Sequence, residues 1–371
     1  MIGFTTILAF SGLIMRGVYA MYFGALRKPL SVSQPINIKN PQLNHRLKYS
    51  IVVCMHNEIK HIDSLLNSLL SQTPPPPEIL IINNGSTDGT SEKLSEYQES
   101  NPSIRVITLR EGGTGKKRPL AKGILEAKHD VILCTDADCT AKSNIWASLM
   151  VKNIGTKYEL KLGVSLPWKS NGFLGAMQNF EAERIALNYI GMAEAGFPYM
   201  GVGRNIAFLR SSWERVGGFD NHMHIASGDD DLFVQDLVWS GAKVGTVVMK
   251  EGQINSVWPE TWGKWMKQIK RHLSTSTSYK KSTLALLSLP VIADVMMYGG
   301  VILEFMHSNF WIATSILVVN AVIRGLIFRT FLLRAGRPGI HTFMLLFEPV
   351  MGIIRQFLSL QALIVKPKEW K

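Results

Sequence analysis

Cysteine is scarce in this chain: Cys54, Cys134 and Cys139 are its only thiols, an odd count without framework spacing, which excludes a disulfide scaffold. Cys54 and Cys134 sit in apolar, strand-like runs and read as buried thiols that pack as small hydrophobes. That usage fits a reducing compartment. No ligand spacing ties His56, His222, His224 and His272 together, so zinc is unsupported. The glycine-rich turn at 112–115 lacks P-loop spacing, and Arg118 stands after the lysine pair where that motif needs Ser or Thr. No basic stretch precedes the first apolar run, which argues against a cleavable signal peptide. Nor does one basic block dominate, although the formal net charge is +12. Basic residues cluster instead at Lys116 to Arg118, Lys264 to Arg271, Lys280 with Lys281, and Arg334 with Arg337. Two of these clusters flank hydrophobic segments, as a polybasic contact with anionic lipid requires, and no nucleic acid partner is expected.

What is present is long apolar sequence at both ends. Residues 2–25 are apolar except for Arg16 and approach the roughly 20 residues a helix needs to cross a bilayer core. Three more apolar stretches occupy 284–306, 310–333 and 341–365. The first of these carries Asp294 and Glu304, and the last carries Glu348, Pro349, Arg355 and Gln356. Such groups are costly in lipid, so they must face protein, water or headgroups, or the last segment lies in the interface as an amphipathic helix. The positive-inside rule puts Arg27, Lys28, the central region, Lys280, Lys281, Arg334 and Arg337 in the cytoplasm and the uncharged 307–309 link outside. A spanning last segment would carry Lys366 and Lys368 outside, against the rule, and leaves the side of the C-terminus open. The chain therefore divides into an anchor at 1–28, a cytoplasmic domain at 48–279, and a hydrophobic region at 284–365 of two to three transmembrane or interfacial helices.

The central region alternates strands and helices. β-Branched runs at 49–54, 78–82, 105–109 and 131–135 predict strands, with helices following 58, 88 and 119 and a helix expected over about 119–128. This order argues for an α/β fold with a mostly parallel sheet covered on both faces, in which ligands bind beyond the carboxyl ends of the strands. Four polar sites fall there: His56 to Glu58, Asn83 to Asp88, Gly112 to Arg118, and Asp136-Ala137-Asp138. Each alone has an ordinary reading as a connector.

Asn57-Glu58 after its strand, Asn84 to Asp88, the Gly115-Lys116 to Gly123 segment, Asp136-Ala137-Asp138, Gly217-Gly218-Phe219-Asp220, Ser227-Gly228-Asp229-Asp230-Asp231-Leu232 and Gln268-Ile269-Lys270-Arg271 stand in the order found in the inverting family-two glycosyltransferases, which the chain resembles across nearly the whole central region. The resemblance implies a GT-A, Rossmann-like nucleotide-sugar-binding domain, and the flanking apolar segments are similar to those of the lipid-glycosylating and polysaccharide-synthesising members. Two positions depart from the family's common pattern. Asn83 or Asn84 stands where an aspartate usually contacts the nucleotide base, and His272 replaces the tryptophan of Gln-x-x-Arg-Trp.

Chemistry assigns roles within that frame. Asp136 and Asp138 offer hard oxygen donors for Mg²⁺ or Mn²⁺ bridging a sugar donor's diphosphate. The resemblance gives the base and ribose to Glu58, Asn83 and Asn84, where an amide both donates and accepts. Asp88 is either part of that grip or a helix N-cap. Lys116, after its glycine loop, suits the donor phosphates. An inverting transfer needs one carboxylate base. Among the adjacent Asp229, Asp230 and Asp231, mutual repulsion should raise at least one pKa, and the family's spacing before Leu232 gives the base to Asp229, with Asp230 as alternate. Gln268 and Arg271 share a helical face. Arg271 suits the leaving diphosphate, His272 a lid over the donor, and Trp258, Trp262 and Trp265 an interfacial belt. The glycine-rich 200–205 run is expected to shape a sugar pocket.

The expected activity is single transfer from a nucleotide-diphosphate sugar to a lipid-linked, lipid or polysaccharide acceptor, with membrane lipids as partners and a bacterial inner-membrane location. Two rivals remain open: a catalytically impaired nucleotide-sugar-binding membrane protein, and a nucleotidyltransferase.

Overall fold

A computed structural model describes residues 3–23, 48–109, 115–167, 172–225, 227–337 and 347–364. Arg27, Lys28, residues 112–114 of the glycine turn, the start of the last apolar stretch, and Lys366 and Lys368 lie outside them.

The chain begins with α1 (Phe4–Phe23) and then enters the α/β region through β1 (Tyr49–Met55), α2 (Ile62–Leu70), β2 (Glu78–Asn84), α3 (Thr90–Ser100), β3 (Ile104–Leu109), α4 (Lys117–Glu126) and β4 (Val131–Asp136). Next come β5 (Cys139–Ala141), α5 (Trp146–Val151), β6 (Leu160–Gly163), β7 (Ser165–Pro167), α6 (Gly172–Glu194), β8 (Ile206–Leu209), α7 (Arg210–Arg215), α8 (Asp231–Trp239), β9 (Val244–Val247), β10 (Ile254–Ser256) and α9 (Trp262–Thr275). Three helices close the described chain: α10 (Lys281–Met306), α11 (Phe310–Arg334) and α12 (Glu348–Ile364).

Seven strands form one sheet in the order β3-β2-β1-β4-β8-β6-β9. Pairings β1–β2, β2–β3, β1–β4 and β6–β9 are parallel, whereas β8 runs antiparallel to both neighbours. A small sheet, β5-β10-β7, stands beside it. All seven residues of β1 are buried, as a strand covered on both faces requires. Its alternation separates two cores: Val52 and Cys54 pack with Leu120, Ile124 and Phe180, and Ile51 and Val53 with Leu65, Leu69 and Trp146.

The strands expected from the sequence are present. The helix anticipated over 119–128 starts two residues earlier, because Pro119 falls in its first turn, where a missing N–H costs nothing. It stops at Glu126, since Ala127 is already extended (ψ 138°).

α1, α10 and α11 are long and apolar enough to cross a membrane. α1 and α10 approach closely through small residues: a Cβ on Gly12 would lie 2.4 Å from Met297 N, and one on Gly300 would lie 2.6 Å from Ala9 Cβ. The charged groups of the apolar stretches pair with protein, whereas Gln356 is exposed. Glu304 accepts from Thr6 Oγ1 (2.7 Å) and Asn309 Nδ2 (2.7 Å), Asp294 pairs with Arg16 (3.1 Å), Glu348 pairs with Arg324, and Arg355 reaches Glu181 of α6 (2.9 Å). α6 is the seat for the C-terminal helices, since Arg334 also makes a two-pronged pair with Glu194 (2.6 and 2.9 Å) and Arg337 pairs with Glu183 (3.4 Å).

Candidate active site

The first two strand ends are stitched to each other. His56 Nδ1 lies 2.7 Å from the Asn84 carbonyl, Asn57 N donates to Ser86 Oγ (2.9 Å), and Asn57 Oδ1 accepts from Thr87 N (2.8 Å) with Asn57 at φ 56°. Asp88 closes this corner, accepting from Ile59 N at one oxygen and from Thr90 N and Oγ1 at the other. Glu58 N donates to Thr90 Oγ1 (3.1 Å). Asn83 is wholly buried, donating to Ser91 Oγ (2.7 Å) and accepting from Ser86 N (3.3 Å). Asn83 and Asp88 thus shape the turn, and Glu58 and Asn84 border it.

The acidic motifs meet one strand further along. β4 ends at Asp136, a turn carries Ala137 and Asp138, and β5 begins at Cys139, so both aspartates leave the regular pleat at a strand end. Their carboxylate oxygens and the Cys139 Sγ lie within 4.8 Å of one another. Burial, then the neighbouring Asp136 charge, raises the pKa of Asp138. Two carboxylates that repel each other in a half-buried cleft fit a hard divalent cation. Cys139 fits less well, because burial holds its thiol protonated, with a pKa well above normal.

Lys116, the residue preceding α4, is buried between two acids: its Nζ lies 2.6 Å from Asp136 Oδ1 and 3.0 Å from Asp229 Oδ2. The backbone of Gly203 passes so close that a Cβ there would lie 3.3 Å from Asp229 Oδ2 and 3.4 Å from the amine.

The three consecutive aspartates are not equivalent. Burial would raise the pKa of Asp229, but the Lys116 ammonium outweighs it and the pKa is lowered. Asp230 caps α8, one oxygen accepting from Asp231 N (2.8 Å) and the other from Gly203 N (3.1 Å); burial and Asp229 raise its pKa. Asp231 accepts from Leu232 N and from Tyr279 Oη (2.6 Å), and burial with Asp230 pushes its pKa up to about 8. The expected repulsion therefore falls on Asp230 and Asp231.

α9 brings Arg271 within electrostatic reach of Asp229, Asp230 and Asp136, although burial lowers its pKa. Gln268 lies one turn earlier on α9 and is half-buried, whereas the His272 side chain is exposed. Ser227 Oγ and Thr275 Oγ1, 2.5 Å apart, tie the acidic loop to the end of α9.

Three residues given no individual role from the sequence belong here. Half-buried Arg204 lies beside Cys139, Asp136, Asp138 and Asp230, which raise its pKa against the lowering effect of burial. Its place in the glycine-rich 200–205 run was the available signal. Lys117 donates to the carbonyls of His222 (2.5 Å) and Ile225 (3.1 Å), and Tyr279 reaches Asp231 from the threshold of α10. Nothing local in the sequence marks either contact.

The chain is similar to known glycosyltransferases in sequence and fold. The model of glycosyl transferase family 2 matches residues 50–215. A probable glycosyltransferase of Bacillus subtilis is 24% identical over 271 residues, covering 68% of this chain and 61% of that protein. The poly-beta-1,6-N-acetyl-D-glucosamine synthase of Staphylococcus epidermidis is 32% identical over 117 residues, covering 32% and 27%. The chain thus spans at most about three fifths of the length of these relatives. Among solved structures, a mannosyltransferase from Pyrobaculum calidifontis in complex with GDP-Man and Mn²⁺ shares the fold, with a TM-score of 0.61 at 16% identity over 98% of both chains.

Proposed function

Because residues 50–215 match the model of glycosyl transferase family 2, we propose that the chain moves a sugar, with inversion, from a nucleotide-diphosphate donor to a lipid-linked, lipid or polysaccharide acceptor at the cytoplasmic face of a bacterial inner membrane. The observation that carries this reading is Lys116 held between Asp136 and Asp229 in a cleft that also gathers Asp138, Arg204 and Arg271. Residues 48–279 act as the transferase domain, α1 and the helices after 281 as its membrane part.

Asp136 and Asp138 would hold Mg²⁺ or Mn²⁺, which neutralises charge on the donor diphosphate when bound. Lys116 and Arg271 present cations to the same diphosphate, and the turns holding Glu58, Asn83, Asn84 and Asp88 receive base and ribose, with Gln268 and His272 on the α9 side. Asp229, kept ionised by Lys116, takes the proton of the acceptor hydroxyl as its oxygen bonds the anomeric carbon. The bond to the diphosphate breaks on the opposite face, and the oxygen departs with the electron pair toward Arg271. Asp230 is the poorer base, since both its oxygens are occupied by backbone N–H groups.

The test is full-length protein in lipid, offered a panel that includes nucleotide-activated N-acetylglucosamine and GDP-Man, with release of nucleoside diphosphate counted and the product's anomeric configuration read by NMR. Metal-dependent release with an inverted product is expected. Release of pyrophosphate would instead establish a nucleotidyltransferase, and binding without turnover an inactive sugar-nucleotide binder.

A further inference from the structure

A second cavity, of about 60 Å³ and open at one side, lies away from the acidic cleft, where α1, α6, α11 and α12 meet. Three guanidiniums line it, from Arg16, Arg184 and Arg324, against a single carboxylate, Glu348. Its apolar walls include Tyr19, Phe23, Phe180 and Phe328.

The charges around it do not balance. Arg16 pairs with Asp294 (3.1 Å) and more loosely with Glu348 (3.8 Å), Arg324 pairs with Glu348 and lies 3.9 Å from Asp294, and Arg184 and Arg355 share Glu181 (2.8 and 2.9 Å). Among the described residues of this cluster, four guanidiniums face three carboxylates. Uncompensated charge beside an apolar helix bundle is costly, so a bound anion would be stabilised there.

Depth selects the kind of anion. Phe23 meets Phe197 of the α/β region (5.8 Å between ring centroids) and Arg334 meets Glu194, so these helix ends adjoin the catalytic part. Arg16 precedes Phe23 by seven residues and Arg324 precedes Arg334 by ten, or about 10 to 15 Å of helix. That depth passes the headgroup layer of about 5 to 8 Å and reaches the top of the acyl region, out of open solvent, where a long guanidinium side chain reaches back toward a lipid phosphate. Exposed apolar residues on the same helices, Val18 and Met21 of α1 and Val322 and Leu326 of α11, offer surface for acyl chains.

We propose that this cavity binds the phosphate of one anionic phospholipid, held by Arg16, Arg184 and Arg324, with its chains against α1 and α11. The bound lipid seals the junction between the membrane helices and α6 and is separate from the sugar acceptor. The site stands whether or not the acidic cleft transfers sugar.

The experiment is calorimetric titration of delipidated, full-length protein in neutral detergent with dioctanoyl phosphatidate, dioctanoyl phosphatidylcholine and inorganic phosphate. Phosphatidate should bind once per chain, about tenfold or more tighter than phosphatidylcholine, and excess inorganic phosphate should not displace it. Ala20→Phe fills the cavity without removing a charge and should weaken phosphatidate by about tenfold, as should Arg184→Gln. Should either fold poorly by thermal melting, Asn188→Leu, on the same wall, takes its place with the same expectation. Equal binding of the two lipids, or wild-type affinity in the folded variants, overturns the site. Displacement by inorganic phosphate overturns the lipid and leaves a plain phosphate site.

Discussion

Lys116 Nζ stands 3.0 Å from Asp229 Oδ2, so a cation from the glycine turn before α4 sets the charge state of a carboxylate more than a hundred residues later. Lys116→Met removes the cation proposed for the donor phosphates and the counter-charge of Asp229 together. We expect kcat/KM to fall by about 10² to 10³. The acidic limb of the pH–rate profile should move to higher pH, because Asp229 loses the charge that lowers its pKa. An unmoved acidic limb would detach Lys116 from the base.

Asp229→Asn should lower transfer by about 10² to 10⁴ while metal-dependent binding of nucleoside diphosphate persists. Asp230→Asn should cost less in rate, and Asp230→Ala about 1 kcal/mol in stability through the lost cap. Rates for the three variants, compared at matched donor occupancy, decide the base; a larger rate loss for Asp230→Asn moves it to that residue.

Asp138→Asn should abolish metal-dependent binding of the diphosphate without lowering the melting temperature, because it removes a carboxylate that Asp136 and burial already disfavour. Calorimetry with and without Mn²⁺, beside a thermal melt, separates the two effects. A large fall in melting temperature would make Asp138 a structural residue.

Asp231 gives the chain a pH dependence of stability. Its folded pKa of about 8 exceeds the unfolded value near 4, so between those values the folded state holds the extra proton and stability falls as pH rises. Asp231→Asn should flatten that part of the profile, read as melting temperatures from pH 5 to pH 8. An equally sloped profile in the variant would assign the titration elsewhere.

Gly12→Ile and Gly300→Ile drive a side chain into the α1–α10 contact and should each cost about 1 to 3 kcal/mol. Gly17 and Gly299 meet no heavy atom closer than 4 Å, so Ile there should be tolerated. Detergent-stability assays on the four variants check the pairing of these helices, and equal losses at all four would contradict it.

The sequence by itself determined the strands and the polar turns at their carboxyl ends. Its β-branched runs break into His56-Asn57-Glu58, Asn83 to Asp88 and Asp136-Ala137-Asp138, and strand periodicity and turn chemistry are local properties written in adjacent residues. The three long apolar helices were legible for the same reason. Only the tertiary structure decided that Lys116 lies between Asp136 and Asp229, that Arg204 and Tyr279 join the acidic loop, and that Asn83 and Asp88 spend their side chains on a turn. The antiparallel pairing of β8 with β4 sets Arg204 beside the end of β4, and the Ser227–Thr275 contact ties the acidic loop to α9, across long stretches of chain. Which of three adjacent aspartates stays ionised follows from that packing, because burial and the nearest cation, not sequence spacing, set the free energy of each charge.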